Sequence, residues 1–194
     1  MRLTQRILEP TRDHAPVREF LDGIEEQRYL DTVVRPLRRW VRGLPLGGAR
    51  DVLRGTWLGH PLHPALVQVP IGSWTSAAVL DLVPGEKGAA TGTVALGLAG
   101  AVPAVVAGWV DWAELNDRQM RVGVVHAAAN STAVALYTAS LVARLRGRSG
   151  SGRTLGFAGL TVATVGGILG GHLAFRHRAG ADHAEDVPHI AEPG

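Results

Sequence analysis

The chain has 194 residues, a formal net charge of +3 and no cysteine. That length bounds it to one domain plus an appendage, and the lack of cysteine excludes disulfides, thiolate metal centres, iron–sulfur clusters and covalently attached c-type haem. Mean hydropathy is only +0.10, so the average does not separate a membrane protein from a soluble one.

The distribution of charge does. Asp, Glu, Lys and Arg are absent from residues 55–80, 88–110, 122–143 and 154–175. Each stretch reaches the roughly 20 apolar residues that a helix needs to cross a bilayer, whereas a soluble helix of that length carries charge on its wet face. The expectation is an all-α protein: a four-helix transmembrane bundle over residues 56–178, an N-terminal polar and amphipathic helical segment over 1–55, and a disordered tail over 179–194. Lys87 is the only lysine, and the Arg, Ala and Gly usage fits a GC-rich bacterial genome.

Residues 1–55 carry charge throughout and contain no apolar signal-peptide core. Val17, Phe20, Leu21, Ile24, Leu30, Val33 and Val34 follow a helical spacing, which Pro36 should interrupt. A second stretch places Leu37, Trp40, Val41 and Leu44 on one side and Arg38, Arg39 and Arg42 on the other. That pattern fits a helix lying on a membrane surface or one packed on the bundle. Eight acidic residues in this segment leave too little positive charge for a nucleic-acid surface. Pro45, Gly47 and Gly48 form a linker.

The first membrane helix is expected over about 64–83, kinked by Pro70, and the second over about 89–112, with Pro103 inside it. The third is expected over about 122–143 and the fourth over about 154–175. Polar loops fall at 114–121 and 144–153. Arg counts at the helix ends favour both termini in the cytoplasm of a multi-pass protein of the bacterial plasma membrane. Trp57, Trp109 and Trp112 fall at one interface, as an aromatic belt would. The run Gly166-Gly167-Ile168-Leu169-Gly170-Gly171 offers either close helix packing or room for a flat cofactor beside His172.

Polar residues within the spans gather at one depth. His60 and His63 each precede a proline, in the turn entering the first helix. Asp111 closes the second helix, His126 and Asn130 share a face of the third, and His172 lies about one turn from the end of the fourth. Because the helices alternate in direction, all of these fall on the same side of the bilayer. Intramembrane polar groups are expensive and are satisfied by one another or by a ligand. His63, Asp111, His126, Asn130 and His172 therefore form either a hydrogen-bonded network or a ligand set. His60, His63, Asp111, His126 and His172 are the candidate ligands of a divalent transition metal ion. Two of His63, His126 and His172, with Asn130 beside them, are the candidates for haem b. Asp81 is expected at the far interface, Gln68 in a bond across helices, and Tyr137 in the core on the face of His126 and Asn130. No zinc-protease, nucleophile-elbow or P-loop motif is present, and no residue is assigned as catalytic.

The entry segment from Thr56 through Gly59-His60-Pro61-Leu62-His63-Pro64 to Leu66, followed by Pro70-Ile71-Gly72, resembles a bacterial membrane family catalogued as domain of unknown function 2231. So do Gly108-Trp109-Val110-Asp111-Trp112, the pair His126 and Asn130, and Gly170-Gly171-His172-Leu173. The resemblance covers about residues 50–180. It implies a four-helix membrane fold and, through relatives joined to Rieske-type or cytochrome domains, an association with electron transfer. Three functions follow as expectations. They are a redox accessory protein with haem b, a metal-ion binding or transport protein, and a membrane scaffold whose histidines are structural. The expected partners are the lipid bilayer and a Rieske-type or cytochrome protein.

Overall fold

A computed structural model describes the backbone over residues 15–181 and side chains over residues 19–174. Within it every regular element is helical. The expected disordered tail lies almost wholly outside the described residues, as does the start of the N-terminal segment.

The N-terminal arm consists of α1 (Ala15–Glu26), a single 3₁₀ turn at Arg28–Leu30, α2 (Asp31–Gly43) and α3 (Ala49–Arg54). Pro36 does not interrupt α2. As the sixth residue of α2, it removes one hydrogen bond, the one to the Thr32 carbonyl in the first turn. The inward face of α2 differs from the expected one. Val34 and Val41 are fully buried against Trp112, Ala113 and Met120, while Trp40 points outward. Arg38 and Arg42 instead turn toward the bundle, and both donate Nε–H to the Ala113 carbonyl, at 3.1 and 3.2 Å. Two guanidinium groups thus cap the negative end of the helix that closes at Trp112. On its inner side this arm is a packed element of the bundle.

After a 3₁₀ turn at Thr56–Leu58, the first bundle helix is split into α4 (His63–Leu66) and α5 (Gln68–Leu80). The break at Val67 comes where Pro70 removes the N–H that would have bonded the Leu66 carbonyl. The remaining helices are α6 (Lys87–Trp112), α7 (Asp117–Leu145) and α8 (Ser149–Ala181). Both loops flanking α7 are far shorter than expected. Asn116 and Gln119 form a reciprocal capping box that starts α7 at Asp117, and α8 resumes three residues after α7 ends.

α5 pairs with α6 and α7 pairs with α8, and the two hairpins meet through α6–α7 and α5–α8 contacts. Of the four expected spans, Lys87–Trp112 and Ser149–Ala174 are long and apolar enough by themselves to cross a bilayer. α5 is only 13 residues long once α4 is broken from it. α7 dilutes its apolar residues with His126, Asn130, Ser131, Thr132, Thr138 and Ser140. Only 33% and 22% of the most apolar windows of these two helices are buried. Leu96, Val102, Val105, Val106, Val165 and Ile168 are exposed on their outer faces. The inner face of α6 carries Ala90, Ala101, Ala104 and Ala107 beside Val94 and Val110, and that of α8 carries Gly152, Gly156, Gly159 and Gly166 beside Leu169. Large aliphatic side chains outside and mostly small residues inside suit a lipid-facing surface.

Two interior features hold the bundle. Trp74 of α5 and Tyr137 of α7 stack with ring centroids 4.1 Å apart and planes 11° from parallel. Trp74 lies directly on Gly97 of α6, and Tyr137 on Gly159 of α8, so one aromatic stack bridges all four helices. Among the described residues neither Trp74 Nε1 nor Tyr137 Oη has a hydrogen-bond partner. An unsatisfied buried hydroxyl carries a desolvation cost of about 1–3 kcal/mol. Tyr137→Phe is therefore expected to leave stability unchanged or to raise it by up to about 1 kcal/mol, read by unfolding in detergent. A loss of more than about 1 kcal/mol would mean that the hydroxyl bonds a bound molecule.

The second feature is the Asp81–Arg144 pair, whose side chains are only 7% and 3% exposed. The expected interfacial carboxylate is thus buried, and its partner lies in what the sequence presents as a basic loop. Among the described residues Gln68 makes no bond across helices; its amide donates to the Pro64 carbonyl one turn back. Trp112 is a core residue and not part of an aromatic belt: its indole N–H donates 3.0 Å to the Met120 carbonyl.

Candidate functional site

The split first helix puts His63 at the N-terminus of α4, where its ring faces α6. Its Nδ1 lies 2.8 Å from the Ala104 carbonyl oxygen, and its ring rests on Gly108, one turn further on. A carbonyl can only accept, so Nδ1 carries the proton and Nε2 keeps the lone pair. His126 repeats the device on the other hairpin. Its Nδ1 lies 2.8 Å from the Gly166 carbonyl of α8, and its ring rests on Gly170. Each histidine therefore comes from one helix, is oriented by a backbone carbonyl of the next, and lies against a glycine where any Cβ would collide.

The two rings are neighbours. Their centroids are 6.3 Å apart and their planes are 88° from parallel. The Asn130 amide nitrogen is 3.3 Å from both nitrogens of His126. Equal distances to the two nitrogens place it over the ring face, since an in-plane approach to Nε2 would leave Nδ1 much further away. Its well-formed bond is to the His126 carbonyl, at 2.9 Å. Asn130 thus covers the imidazole without engaging the in-plane lone pair of Nε2. Gly166 leaves room for that amide, and a Cβ there would meet it. The glycine run of α8 is accounted for in part by His126 and Asn130 seated over Gly166 and Gly170, while Gly167 and Gly171 face open space.

The other expected site residues lie elsewhere. His60 is exposed in the entry loop, with Nδ1 3.1 Å from the Pro61 carbonyl. Asp111 follows Ala104 and Gly108 on the same face of α6, and among the described residues no hydrogen bond joins it to a histidine. Arg54 of α3 is the cation whose field reaches it. His172 is turned away from His126, toward the arm. Its Nε2 lies 3.1 Å from Glu25 Oε1. Sequence reasoning gathered His63, His126 and His172 by depth. The fold brings the first two together and gives the third to α1.

The arm contributes residues that the sequence did not single out. Arg121, at the start of α7, donates Nε–H and Nη2–H to the two Asp31 oxygens, at 2.7 and 3.0 Å. Its Nη1 donates 2.7 Å to the Glu25 carbonyl. The Arg121 guanidinium, bonded to both oxygens, holds the Asp31 carboxyl below its ordinary range. Leu21 and Ile24 complete this joint by packing on Val122 and Leu169. Ninety residues separate Arg121 from Asp31, so no local signal announces the pair.

A family model described as a predicted membrane protein (DUF2231) matches residues 59–183. No curated protein and no solved structure matches the chain.

Proposed function

The chain belongs to the DUF2231 family of predicted membrane proteins, and we propose that in this member His63 and His126 would hold a haem b. In this reading the protein is a redox or electron-transfer accessory of the bacterial plasma membrane. It spans the bilayer with four helices, α4–α5 acting together as the first, and keeps both termini in the cytoplasm. The observation that carries the reading is the pair of imidazoles from α4 and α7, 6.3 Å apart at their centroids and each with its Nδ1–H given to a backbone carbonyl. Histidine ligands regularly give their second N–H to a carbonyl, which fixes the tautomer and raises the basicity of the ligating nitrogen.

The ligand count favours haem over a bare ion. A protein-bound zinc-like ion takes three or four protein ligands, and here Asn130 covers a ring face while Asp111 makes no bond to either histidine. A pair of imidazoles is a donor set that a haem would take. Haem held there would supply one-electron chemistry at the depth of the membrane face that carries the arm. The chain's own residues hold and orient the two imidazoles, and the outward aliphatic faces of α6 and α8 meet lipid. A Rieske-type or cytochrome protein is the partner this function calls for.

The test is the visible spectrum of the detergent-purified protein, made with ample haem, oxidised and then dithionite-reduced. A Soret band with sharp reduced α and β bands is expected. His63→Ala and His126→Ala should each abolish it, and His172→Ala should retain it. A featureless wild-type spectrum overturns the reading. In that case metal analysis separates a colourless ion at the same histidines from a purely structural pair.

A further inference from the structure

A polar cavity of about 610 Å³ opens where the arm meets the start of α7. That volume falls in the range of small-ligand sites, about 300–1,000 Å³. Its lining is charged throughout, with four arginines and three carboxylates, which excludes an apolar occupant. Arg28, Asp31 and Arg35 come from the 3₁₀ turn and α2, and Asp117, Arg118 and Arg121 from α7.

These charges do not cancel. Arg121, with its side chain 9% exposed, is bonded to both Asp31 oxygens, so that pair neutralises itself. Arg38, from outside the lining, lies 3.7 Å from Asp117. Arg28, Arg35 and Arg118 are left against Glu26. Arg35 reaches Asp31 only at 3.7 Å, with its side chain 75% exposed. Among the described residues Arg28 and Arg118 make no ion pair. Both α2 and α7 begin at the cavity, at Asp31 and Asp117, and add the positive ends of two helix dipoles. Surplus guanidinium groups around an open space select an anion, and the planar fork of arginine matches phosphate oxygens.

The position of the cavity indicates what carries that phosphate. The charge-free stretch of α7 begins at Val122, directly after Arg121. With the helices spanning the bilayer, the cavity therefore lies at the depth of the lipid headgroups. The arm beside it shows apolar side chains to the outside. Tyr29, next to Arg28, and Val33 and Trp40 of α2 are 68%, 51% and 61% exposed. Aromatic and aliphatic groups beside arginines compose an interfacial surface, and basic pockets at this depth take anionic headgroups.

We propose that this cavity binds the phosphate of an anionic glycerophospholipid, with Arg28, Arg35 and Arg118 on the phosphate oxygens and Tyr29, Val33 and Trp40 in the lipid interface. The bound lipid joins the arm to α7 from outside, as Arg121 and Asp31 join them within. This assignment depends on the bilayer-spanning reading of the helices and is independent of haem.

The test uses the full chain in neutral detergent and phosphate-free buffer. Short-chain phosphatidylglycerol, short-chain phosphatidylcholine and inorganic phosphate are titrated in separately. Binding is read as the rise in unfolding temperature and by native mass spectrometry, which counts bound lipids. Phosphatidylglycerol should bind saturably, with one molecule held most tightly, and phosphatidylcholine at least several-fold more weakly. Arg28→Gln and Arg118→Gln, both at exposed positions, should each weaken phosphatidylglycerol binding about fivefold, roughly the attraction of one guanidinium to an anionic lipid surface. Arg39→Gln removes the same charge from an exposed position of α2 outside the cavity and should leave binding unchanged. Equal binding of the two lipids overturns the proposal. An equal loss in Arg39→Gln overturns it too, since that is general charge attraction. Inorganic phosphate binding as tightly as phosphatidylglycerol identifies free phosphate as the ligand and overturns the lipid assignment. Alkaline carbonate treatment of membranes tests the bilayer reading separately. A chain that is extracted loses that reading and this one together. A chain that resists extraction but shows no preference for phosphatidylglycerol loses this site alone.

Discussion

Asp81→Asn is expected to destabilise the protein by about 3–5 kcal/mol, the cost of leaving one member of a buried ion pair without its partner. The Arg144 guanidinium is bidentate on Asp81, with Nη1–Oδ1 at 2.8 Å and Nη2–Oδ2 at 2.5 Å. Its Nε donates to Ser140 Oγ at 3.1 Å, and Ser140 in turn donates to the Gly152 carbonyl at 2.6 Å. The network thus joins the end of α5 to α7 and to the first turn of α8. Asparagine keeps the shape but not the charge, and Arg144 remains buried among groups that cannot neutralise it. The double change Asp81→Leu/Arg144→Leu should recover most of the loss, because apolar residues of similar volume remove both desolvation penalties. Unfolding of the single and double variants in mixed detergent measures this. Equal losses in Asp81→Asn and in the double variant would show that the pair contributes through packing alone.

Gly97→Val should cost about 1–3 kcal/mol, toward the upper end, through overpacking. A Cβ at residue 97 collides with the Trp74 indole at Nε1 and Cδ1. The indole has nowhere to go, because Tyr137 stacks on it at 4.1 Å and is backed in turn by Gly159 at 2.9 Å from where a Cβ would stand. Strain introduced at α6 is therefore passed through α5 and α7 to α8. Combining Gly97→Val with Trp74→Leu should be less destabilising than the sum of the two single changes, since the space each needs is the space the other gives. Gly92→Ala is the control. Its Cβ meets nothing within 4 Å, and alanine in a helix interior is better than glycine by roughly 0.5–1 kcal/mol. Additive losses at residues 74 and 97 would mean that the stack does not set the spacing of the helices.

Both predictions concern residues whose roles were only partly visible in the chain. Asp81 stands out as a charge ending an apolar stretch, but its partner is 63 residues away in a segment that reads as a basic loop. Tyr137 and Trp74 read as core, and the glycines that seat them read as generic small residues. The candidate site divides in the same way. The pinned tautomers of His63 and His126 depend on the carbonyls of Ala104 and Gly166, and a backbone acceptor leaves no mark on composition or spacing. His172 matches His126 in depth and in family motif, yet it faces α1.

What the sequence determined by itself is one-dimensional. Charge-free lengths marked the long helices, Pro70 marked the broken one, and counting residues along each helix placed His63, Asp111, His126 and His172 at one end of the bundle. Residue count fixes height along a helix, at 1.5 Å per residue, whatever the neighbours do. Only the tertiary structure decided which way each side chain faces and what it meets. Rotation of a helix about its axis is set by packing against the others. In an apolar setting, where lipid and core are equally hydrophobic, the sequence pattern alone does not separate inward from outward faces. Packing paired His63 with His126, gave His172 to Glu25, buried Trp112 and joined Asp81 to Arg144.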